Sequence, residues 1–410
     1  MSESPSYSRL LKQPPFRALW LAQIISQSGD AIFDVALLWL VLITTGSAAL
    51  VGLTQAIVLI PPVFAKPFAG VYADRSNRRN IMILSSLFQG GVTAVLSFLY
   101  LANVLHFAFL IFLVLLLYTG AEFFRSANVA MVPSIVSKEN LGAANGLFTL
   151  TTSANQLASY TVGGVVLATV GAAVSITYDS LTFFVAAALL TLVAKSYGQT
   201  AAMGSPGGGS FKADFREGVS YVRKSRLFLE LIVTGIIINF FGAVFATGMA
   251  PYVKNQLSGG AVDYGVVLSS FALGTIAGSL ALGKVNFRSF VGRLVFAGVI
   301  VSGVLMFLAG EAVNVPEGIL IALALGALIG IINLPIQVLV QTQVPGEILG
   351  RAATVLGSLL AASQPVGALV FGAMVGVISI GETFMISGAI VSVVSAVLFF
   401  LFKELSSAKY

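Results

Sequence analysis

Long apolar runs separated by short polar breaks form the dominant pattern of this chain. Each run has about 20 residues or more, which is the length of an α-helix that crosses the hydrocarbon core of a bilayer. Lipid cannot satisfy exposed backbone groups, and the runs are too long for the strands of a membrane barrel. The pattern predicts twelve membrane-spanning helices, with approximate limits 16–45, 48–73, 80–101, 107–132, 142–168, 172–195, 227–253, 262–284, 289–310, 316–341, 350–377 and 382–402.

Composition agrees with an all-α integral membrane protein. Of the 410 residues, 57% are hydrophobic and only 9% are charged, whereas soluble domains carry about 25% charged residues. The chain has no cysteine, which excludes disulfide and thiol chemistry. The net charge of +6 could indicate nucleic acid binding, but the basic residues lie in short loops between apolar runs, so no nucleic acid partner is expected.

Basic residues also predict the orientation. With the N-terminus inside, nineteen of the 22 Lys and Arg residues fall on the cytoplasmic side, Lys254 falls outside, and Lys66 and Arg125 fall within spans. Such asymmetry is the positive-inside pattern. An even number of spans then places both termini in the cytoplasm of a multi-pass plasma membrane protein. The first residues lack the pattern of a cleavable signal, so we expect a retained cytoplasmic tail.

The two halves of the chain resemble each other. VSKENLGAA (136–144) aligns with VPGEILGRA (344–352), and Gly52, Gly70 and Arg75 align with Gly265, Gly283 and Arg288 at a similar offset. Such repeats are typical of transporters built from duplicated halves. We predict two pseudo-symmetric six-helix bundles, at 1–195 and 227–410.

Residues 196–226 are predicted to link the bundles in the cytoplasm. AAMGSPGGGS is flexible in composition, and FKADFREGVSYVRKSRLF follows it. Its apolar residues Phe211, Phe215, Val219 and Val222 recur at helical spacing, which indicates a helix on the cytoplasmic membrane surface. A solvated loop is the alternative.

Charge concentrates in the loop GVYADRSNRRN, residues 70–80, between the second and third spans. Asp74 can pair with a neighbouring Arg or cap a helix N-terminus. Gly70 is expected to let two helices approach closely. The loop could also be only a positive-inside anchor.

The pattern Gly70-x-x-x-Asp74-Arg75-x-x-Arg78-Arg79 resembles the signature loop of the major facilitator superfamily. The resemblance implies that the loop is a cytoplasmic latch between the two halves when the carrier faces outward. The family usually has Gly where Asn77 stands, and Asn also tolerates a left-handed turn.

Two further segments resemble the macrolide-efflux-like branch of the drug:proton antiporters, which also contains siderophore exporters. They are SQSGDAIFDVALLWLVLITTGSAALVGL (26–53) and AEFFRSANVAMVPSIVSKENLGAANGL (121–147). One departure concerns the antiporter motif of the fifth span, because SYTVGG (159–164) lacks the proline of that motif. The resemblance implies export by alternating access coupled to protons.

Charged residues inside spans are the candidates for coupling, because they are costly in lipid. Asp30 and Asp34 stand four apart on one helix face, where two close carboxylates do not both ionise easily, so one could hold and release a proton. Asp30 could instead cap or hydrogen-bond a neighbouring helix. Glu122 and Arg125 stand three apart and are expected to form an ion pair near the cytoplasm. A gating or proton role for Glu122 stays open.

Other polar residues receive weaker assignments. The C-terminal half has uncharged candidates for the substrate cavity, namely Asn239, Asn333, Gln337 and Gln364. Asp179, early in the sixth span, is expected near the outer surface.

The leading hypothesis is a secondary active transporter that exports small amphipathic compounds, as multidrug or macrolide pumps do, with proton coupling. Alternatives are a substrate-specific carrier for a siderophore, lysolipid or metabolite, and a membrane receptor or scaffold that transports nothing. The chain lacks a nucleotide-binding glycine loop, a His-Glu metal cluster and a nucleophile–His pair. We therefore expect neither an enzyme nor a cofactor or metal. The expected partners are a small-molecule substrate, protons and the bilayer, with the protein as a monomer.

Overall fold

A computed structural model describes residues 10–194, 197, 211–283, 285 and 287–408. The long helices of the first half are α1 (Pro14–Thr45), α2 (Ala48–Arg75), α3 (Arg78–Leu101), α4 (Phe107–Ile135), α5 (Leu141–Thr169) and α6 (Ala172–Thr191). The second half contains α7 (Phe211–Lys224), α8 (Arg226–Pro251), α9 (Ala261–Leu282), α10 (Val291–Glu311), α11 (Val315–Gln343), α12 (Gly346–Val375), α13 (Ile380–Leu401) and α14 (Lys403–Ser406). A π-helical turn, Tyr252–Gln256, extends α8.

Each of the twelve predicted spans corresponds to one long helix, with ends displaced by a few residues. Eleven of these helices, within the described part of the chain, are long and apolar enough to cross a membrane. The exception is α5, whose segment TLTTSANQ (149–156) lowers its hydropathy. The all-helical fold is confirmed, and the fifth span is more polar than the others.

Short polar motifs start several helices. The Asn314 side chain accepts a hydrogen bond from the backbone N–H of Glu317 at 3.0 Å at the start of α11. Ser379 and Glu382 form a reciprocal capping box at the start of α13. Gly171, with φ of +84°, allows the turn between α5 and α6, because that backbone conformation is strained for residues with a side chain. These motifs explain why the loops are short.

Contacts between Cα atoms divide the chain into two compact units. The first unit contains Met1–Leu40 and Ile57–Met203, and the second contains Val41–Ala56 and Gly204–Tyr410. Each unit has a core of its own. In the first, buried residues of α1, α3, α4, α5 and α6 pack together, among them Leu19, Met82 and Met131.

Helix pairing repeats between the two halves. In the first unit α3 packs against α4 and α6, and in the second unit α10 packs against α11 and α13. These helices hold equivalent places in the two six-helix sets. The repeated pairing agrees with the internal duplication expected from the sequence.

Helix α7 lies in the predicted linker and is followed by α8 with Ser225 as the N-cap. Val222 is buried in the core of the second unit and Val219 packs against it. The Tyr221 hydroxyl donates to the Gln343 carbonyl at 3.2 Å. This part of the apolar face therefore contacts protein, and the location of the helix at the cytoplasmic membrane surface stays a prediction. The side chains of Phe211 and Phe215 lie outside the described residues.

Glycines allow α9 and α11 to pack with their backbones in contact. A Cβ on Gly274 or Gly278 would collide with backbone atoms of Leu323 or Ala327 in α11. Equally, a Cβ on Gly326 would collide with the backbone of α9. Spacing of small residues by four is a recurrent packing motif of membrane helices.

We predict that Gly278→Ala destabilises the second unit by about 1–3 kcal/mol, because the added methyl group overpacks a backbone contact. The control is Gly357→Ala in α12, where a Cβ would meet no atom within 4 Å. It should be neutral or stabilising, since alanine is the better helix former. Melting temperatures of the purified proteins in detergent measure both effects. Equal temperatures for the two variants would contradict the packing argument.

Candidate functional site

Asp30 and Asp34 lie one turn apart on α1, both half-buried in the first unit. The Tyr118 hydroxyl of α4 donates a hydrogen bond to Asp34 Oδ1. The positive charge of Arg125, also on α4, acts on both carboxyl groups.

Glu122 and Arg125 form the ion pair that their spacing predicts. Arg125 Nη1 lies 2.7 Å from Glu122 Oε1, and Glu122 is almost completely buried while most of the Arg125 side chain is exposed. Tyr118, Glu122 and Arg125 follow one another at helical spacing, so they share one face of α4. This face of α4 carries the Arg125 guanidinium towards the acids of α1. Glu122 already binds that guanidinium.

Asp179 of α6 is a further acid beside α1, to which sequence reasoning assigned no role in coupling. It is 0% exposed, and its expected position near the outer membrane surface stays a prediction. Neither carboxyl oxygen has a hydrogen-bond partner among the described residues. Asp179 packs against Gly29, and its charge interacts with those of Asp30 and Asp34. The only sign of the Asp179 contact in the sequence is Gly29, a small residue directly before Asp30.

We call Asp30, Asp34, Glu122, Arg125 and Asp179 the carboxyl cluster. It contains four carboxyl groups and one guanidinium, contributed by α1, α4 and α6. Uncompensated charge in a membrane costs about 2.5–3.5 kcal/mol per residue on insertion scales. Full ionisation would leave three carboxylates unpaired. The cluster is therefore suited to bind protons.

Amide side chains continue the polar surface of α1. Asn128 Nδ2 of α4 donates to Gln23 Oε1 at 3.2 Å. Asn155 Nδ2 of α5 donates to the Ile24 carbonyl at 3.2 Å. Helices α4 and α5 thus both hydrogen-bond to α1, which fixes the helix that carries Asp30.

The candidate cavity residues of the second unit separate into two pairs. Gln364 Nε2 donates to Asn239 Oδ1 at 2.6 Å, and Asn239 Nδ2 donates to the Gly235 carbonyl at 2.8 Å. Asn333 and Gln337 lie one turn apart on α11, and both are exposed. The structure therefore joins Asn239 with Gln364 across α8 and α12.

Aromatic rings adjoin the Asn239–Gln364 pair along the chain. Phe240 and Phe241 of α8 have ring centroids 5.6 and 5.8 Å from that of Phe371 in α12. Aromatic pairs at this separation are attractive. Helices α8 and α12 thus present amides and aromatic rings in neighbouring positions.

Two arginines of the predicted latch bind backbone carbonyls of the first unit. Buried Arg79 donates from Nε to the Leu190 carbonyl at 3.2 Å and from Nη2 to the Thr191 carbonyl at 2.8 Å. Arg78 Nη1 donates to the Ala130 carbonyl at 2.9 Å. A guanidinium at a helix C-terminus satisfies free carbonyls and the helix dipole. Both arginines therefore hold the C-terminal ends of α4 and α6.

The rest of the loop makes fewer contacts. A Cβ on Gly70 would meet no described atom within 4 Å beyond its own helix and neighbours, and the close approach of helices expected there stays a prediction. Asn77 is extended, with φ of −66°, and its side chain caps α3 by accepting from the Asn80 N–H. It adopts no left-handed turn. Asp74 and Arg75 are exposed at the end of α2.

Twelve long helices in two duplicated sets, within the described part of the chain, are the architecture of transporters of the major facilitator superfamily. The profile of the family described as "Transmembrane secretion effector" (MFS_3) matches residues 6–409. The chain belongs to this family. Its members are transporters of small molecules in the membrane and not enzymes.

Three relatives extend over nearly the whole chain. One is the uncharacterized MFS-type transporter YvqJ of Bacillus subtilis, 22% identical, covering 96% of this chain and 93% of YvqJ. Macrolide efflux protein A of Streptococcus pyogenes is 23% identical, covering 93% of this chain and 94% of that protein. Multidrug efflux pump Tap of Mycobacterium tuberculosis is also 23% identical, with coverages of 91% and 89%.

Solved structures confirm the fold. A POT family transporter in complex with a thioalcohol-conjugated peptide superposes with a TM-score of 0.74 at 12% identity, covering 95% of this chain and 96% of that one. A bacterial homolog of the human lysosomal transporter Spinster gives a TM-score of 0.71 at 15% identity, covering 98% of each chain. At these identities the likeness shows the fold alone.

We predict that Arg79→Ala lowers the melting temperature of the purified protein, because it leaves carbonyls at the end of α6 without a donor. Each lost hydrogen bond to a charged group costs about 1.5–3 kcal/mol. Arg75→Ala is the matched control, since Arg75 is exposed and its removal should leave the melting temperature unchanged. An unchanged temperature for Arg79→Ala would show that these carbonyl contacts stabilise nothing.

Proposed function

We propose that this transporter exports small amphipathic compounds and that protons moving inward through the carboxyl cluster drive the export. The observation that carries the proposal is a set of four carboxyl groups in the first unit, two buried and two half-buried, with one guanidinium among them. The names of two relatives support the direction and the substrate class, since one is a macrolide efflux protein and the other a multidrug efflux pump.

Charge balance supplies the coupling mechanism. When the cluster binds a proton, one carboxylate is neutralised and needs no partner in the low-dielectric interior. When the proton leaves, the negative charge requires water or Arg125. The two protonation states thus favour different arrangements of α1, α4 and α6, and the proton gradient can shift the population between them.

Substrate recognition is assigned to uncharged groups. Asn239 and Gln364 offer amide donors and acceptors, and the neighbouring phenylalanines offer apolar surface. A few polar groups within an apolar lining suit amphipathic ligands of varied shape. Asn333 and Gln337, exposed on α11, remain further candidates for this role.

The latch and the orientation complete the proposal. Arg78 and Arg79 anchor the loop 70–80 to the first unit, which leaves Asp74 and Arg75 exposed and available to form the latch. The positive-inside pattern supports cytoplasmic termini in a plasma membrane. We propose a monomer as the transporting form.

The central test is Asp30→Asn in proteoliposomes loaded with a panel of amphipathic and hydrophilic compounds under an imposed pH gradient. The variant mimics the protonated acid, so it should abolish gradient-driven flux and retain counterflow of the same substrate. Asp34→Asn should act likewise only if the two acids titrate as a unit.

A matched control removes an acid outside the cluster. Asp263 caps the start of α9 by accepting from the Gly260 N–H at 2.7 Å, and Asp263→Asn should leave gradient-driven flux intact. Normal pumping by both Asp30→Asn and Asp34→Asn would exclude them as the coupling site. Flux of one compound alone would favour a substrate-specific carrier over a multidrug exporter.

The latch is tested with Arg75→Gln and Asp74→Asn. Either change should reduce flux while leaving the melting temperature unchanged, because neither side chain is buried. Cysteines introduced singly into the cytoplasmic ends of α4 and α11 report access of water-soluble thiol reagents, and the natural chain has no background cysteine. Higher labelling in the variants is expected. Unchanged labelling and flux would show that the loop is only a positive-inside orientation signal.

A further inference from the structure

The contact between α1 and α6 is formed at Asp179. A Cβ built on Gly29 of α1 would lie 2.6 Å from Asp179 Oδ1 and 3.0 Å from its Cα, and would also collide with Thr182 Oγ1. Thr182 is itself held by a hydrogen bond to the Asp179 carbonyl at 2.7 Å. The backbone of α1 therefore lies directly on the Asp179 carboxyl group, with no room between them.

This contact provides nothing that compensates a negative charge. Both Asp179 oxygens are buried and, among the described residues, without a hydrogen-bond donor. A carboxylate in such a place loses its hydration and gains no partner. The packing seen here therefore suits a carboxyl group that carries a proton.

The charged groups that face Asp179 also disfavour its ionised form. From α1 it faces Asp30 and Asp34, whose negative charges repel its own. From α4 the Tyr118 hydroxyl interacts with its charge. Helix α3 brings Arg79, which binds the carbonyls of Leu190 and Thr191 at the other end of α6.

We propose that Asp179 is a proton-carrying residue of this transporter and that its charge controls the packing of α1 on α6 at Gly29. Protonated Asp179 allows the close contact. On release, the carboxyl O–H bond breaks, the proton passes to water, and the resulting carboxylate becomes hydrated, which separates the two helices. Rebinding of a proton from water restores the contact. The inference rests on the proposed proton coupling and adds a third acid to it.

The adjacent turn of α6 offers a position for a chemical probe. Ser175 lies four residues before Asp179 on the same helix face, is 0% exposed, and its hydroxyl has no partner among the described residues. Ser175→Cys therefore removes no hydrogen bond and changes the volume little. It introduces the only thiol in the chain, since the natural sequence has no cysteine.

The experiment measures the alkylation rate of Ser175→Cys in the purified full-length protein, reconstituted in lipid nanodiscs, across a range of pH. Thiol ionisation raises the rate with pH in any protein, so the reference is the same variant combined with Asp179→Asn. We expect the ratio of the two rates to rise severalfold as the pH increases, because only the protein with Asp179 opens the contact.

A second variant identifies the helix contact as the cause. Gly29→Ala forces α1 away from Asp179, so it should make Ser175→Cys reactive at every pH, even together with Asp179→Asn. A rate ratio that stays constant with pH would overturn the inference and leave Asp179 as a packing residue. If Asp179→Asn does not fold, Asp179→Ser serves as the reference, with the same expectation.

Flux measurements separate this inference from the proposed function. A pH-dependent rate ratio in a protein that shows no proton-driven flux would retain the Asp179 switch and reject proton antiport. Proton-driven flux that is normal in Asp179→Asn would reject Asp179 as a proton carrier while retaining coupling through Asp30.

Discussion

The cost of unpaired charge in the membrane interior is the constraint on which this structure depends. Helices α1, α4 and α6 contribute four carboxyl groups and one guanidinium, and Glu122 binds that guanidinium at 2.7 Å. Because lipid offers no hydration, protons are the available means of neutralising the remaining acids.

In the second unit, a buried acid is compensated by fixed partners rather than by protonation. Its buried acid Glu230 accepts from the Leu405 N–H at 2.8 Å and from Arg226 Nε at 3.2 Å, so its charge is compensated by permanent partners. Glu230 thereby ties the C-terminal segment to the start of α8. A fully partnered acid is structural, whereas Asp179 beside α1 keeps both oxygens without a partner among the described residues, and this contrast supports coupling within the first unit.

Much of the fold could be predicted because membrane helices follow directly from apolar runs. Asp30, Asp34 and Glu122 could be found because a charge within such a run is conspicuous. Asp179 could not be interpreted, since its burial depends on a contact with Gly29 that is 150 residues away in the chain. The role of Asn77 could not be predicted either, since its side chain caps α3 only because the loop places it directly before that helix.

The most direct measurement of the central claim is infrared difference spectroscopy of the reconstituted protein, in the carbonyl-stretch region of protonated carboxylic acids, during a pH titration. The account predicts buried, protonated carboxyl groups near neutral pH that deprotonate as the pH rises. The signal should be diminished by Asp30→Asn and by Asp179→Asn, and unchanged by Asp263→Asn. A spectrum without such a signal, or one that these substitutions leave unaltered, would contradict the account.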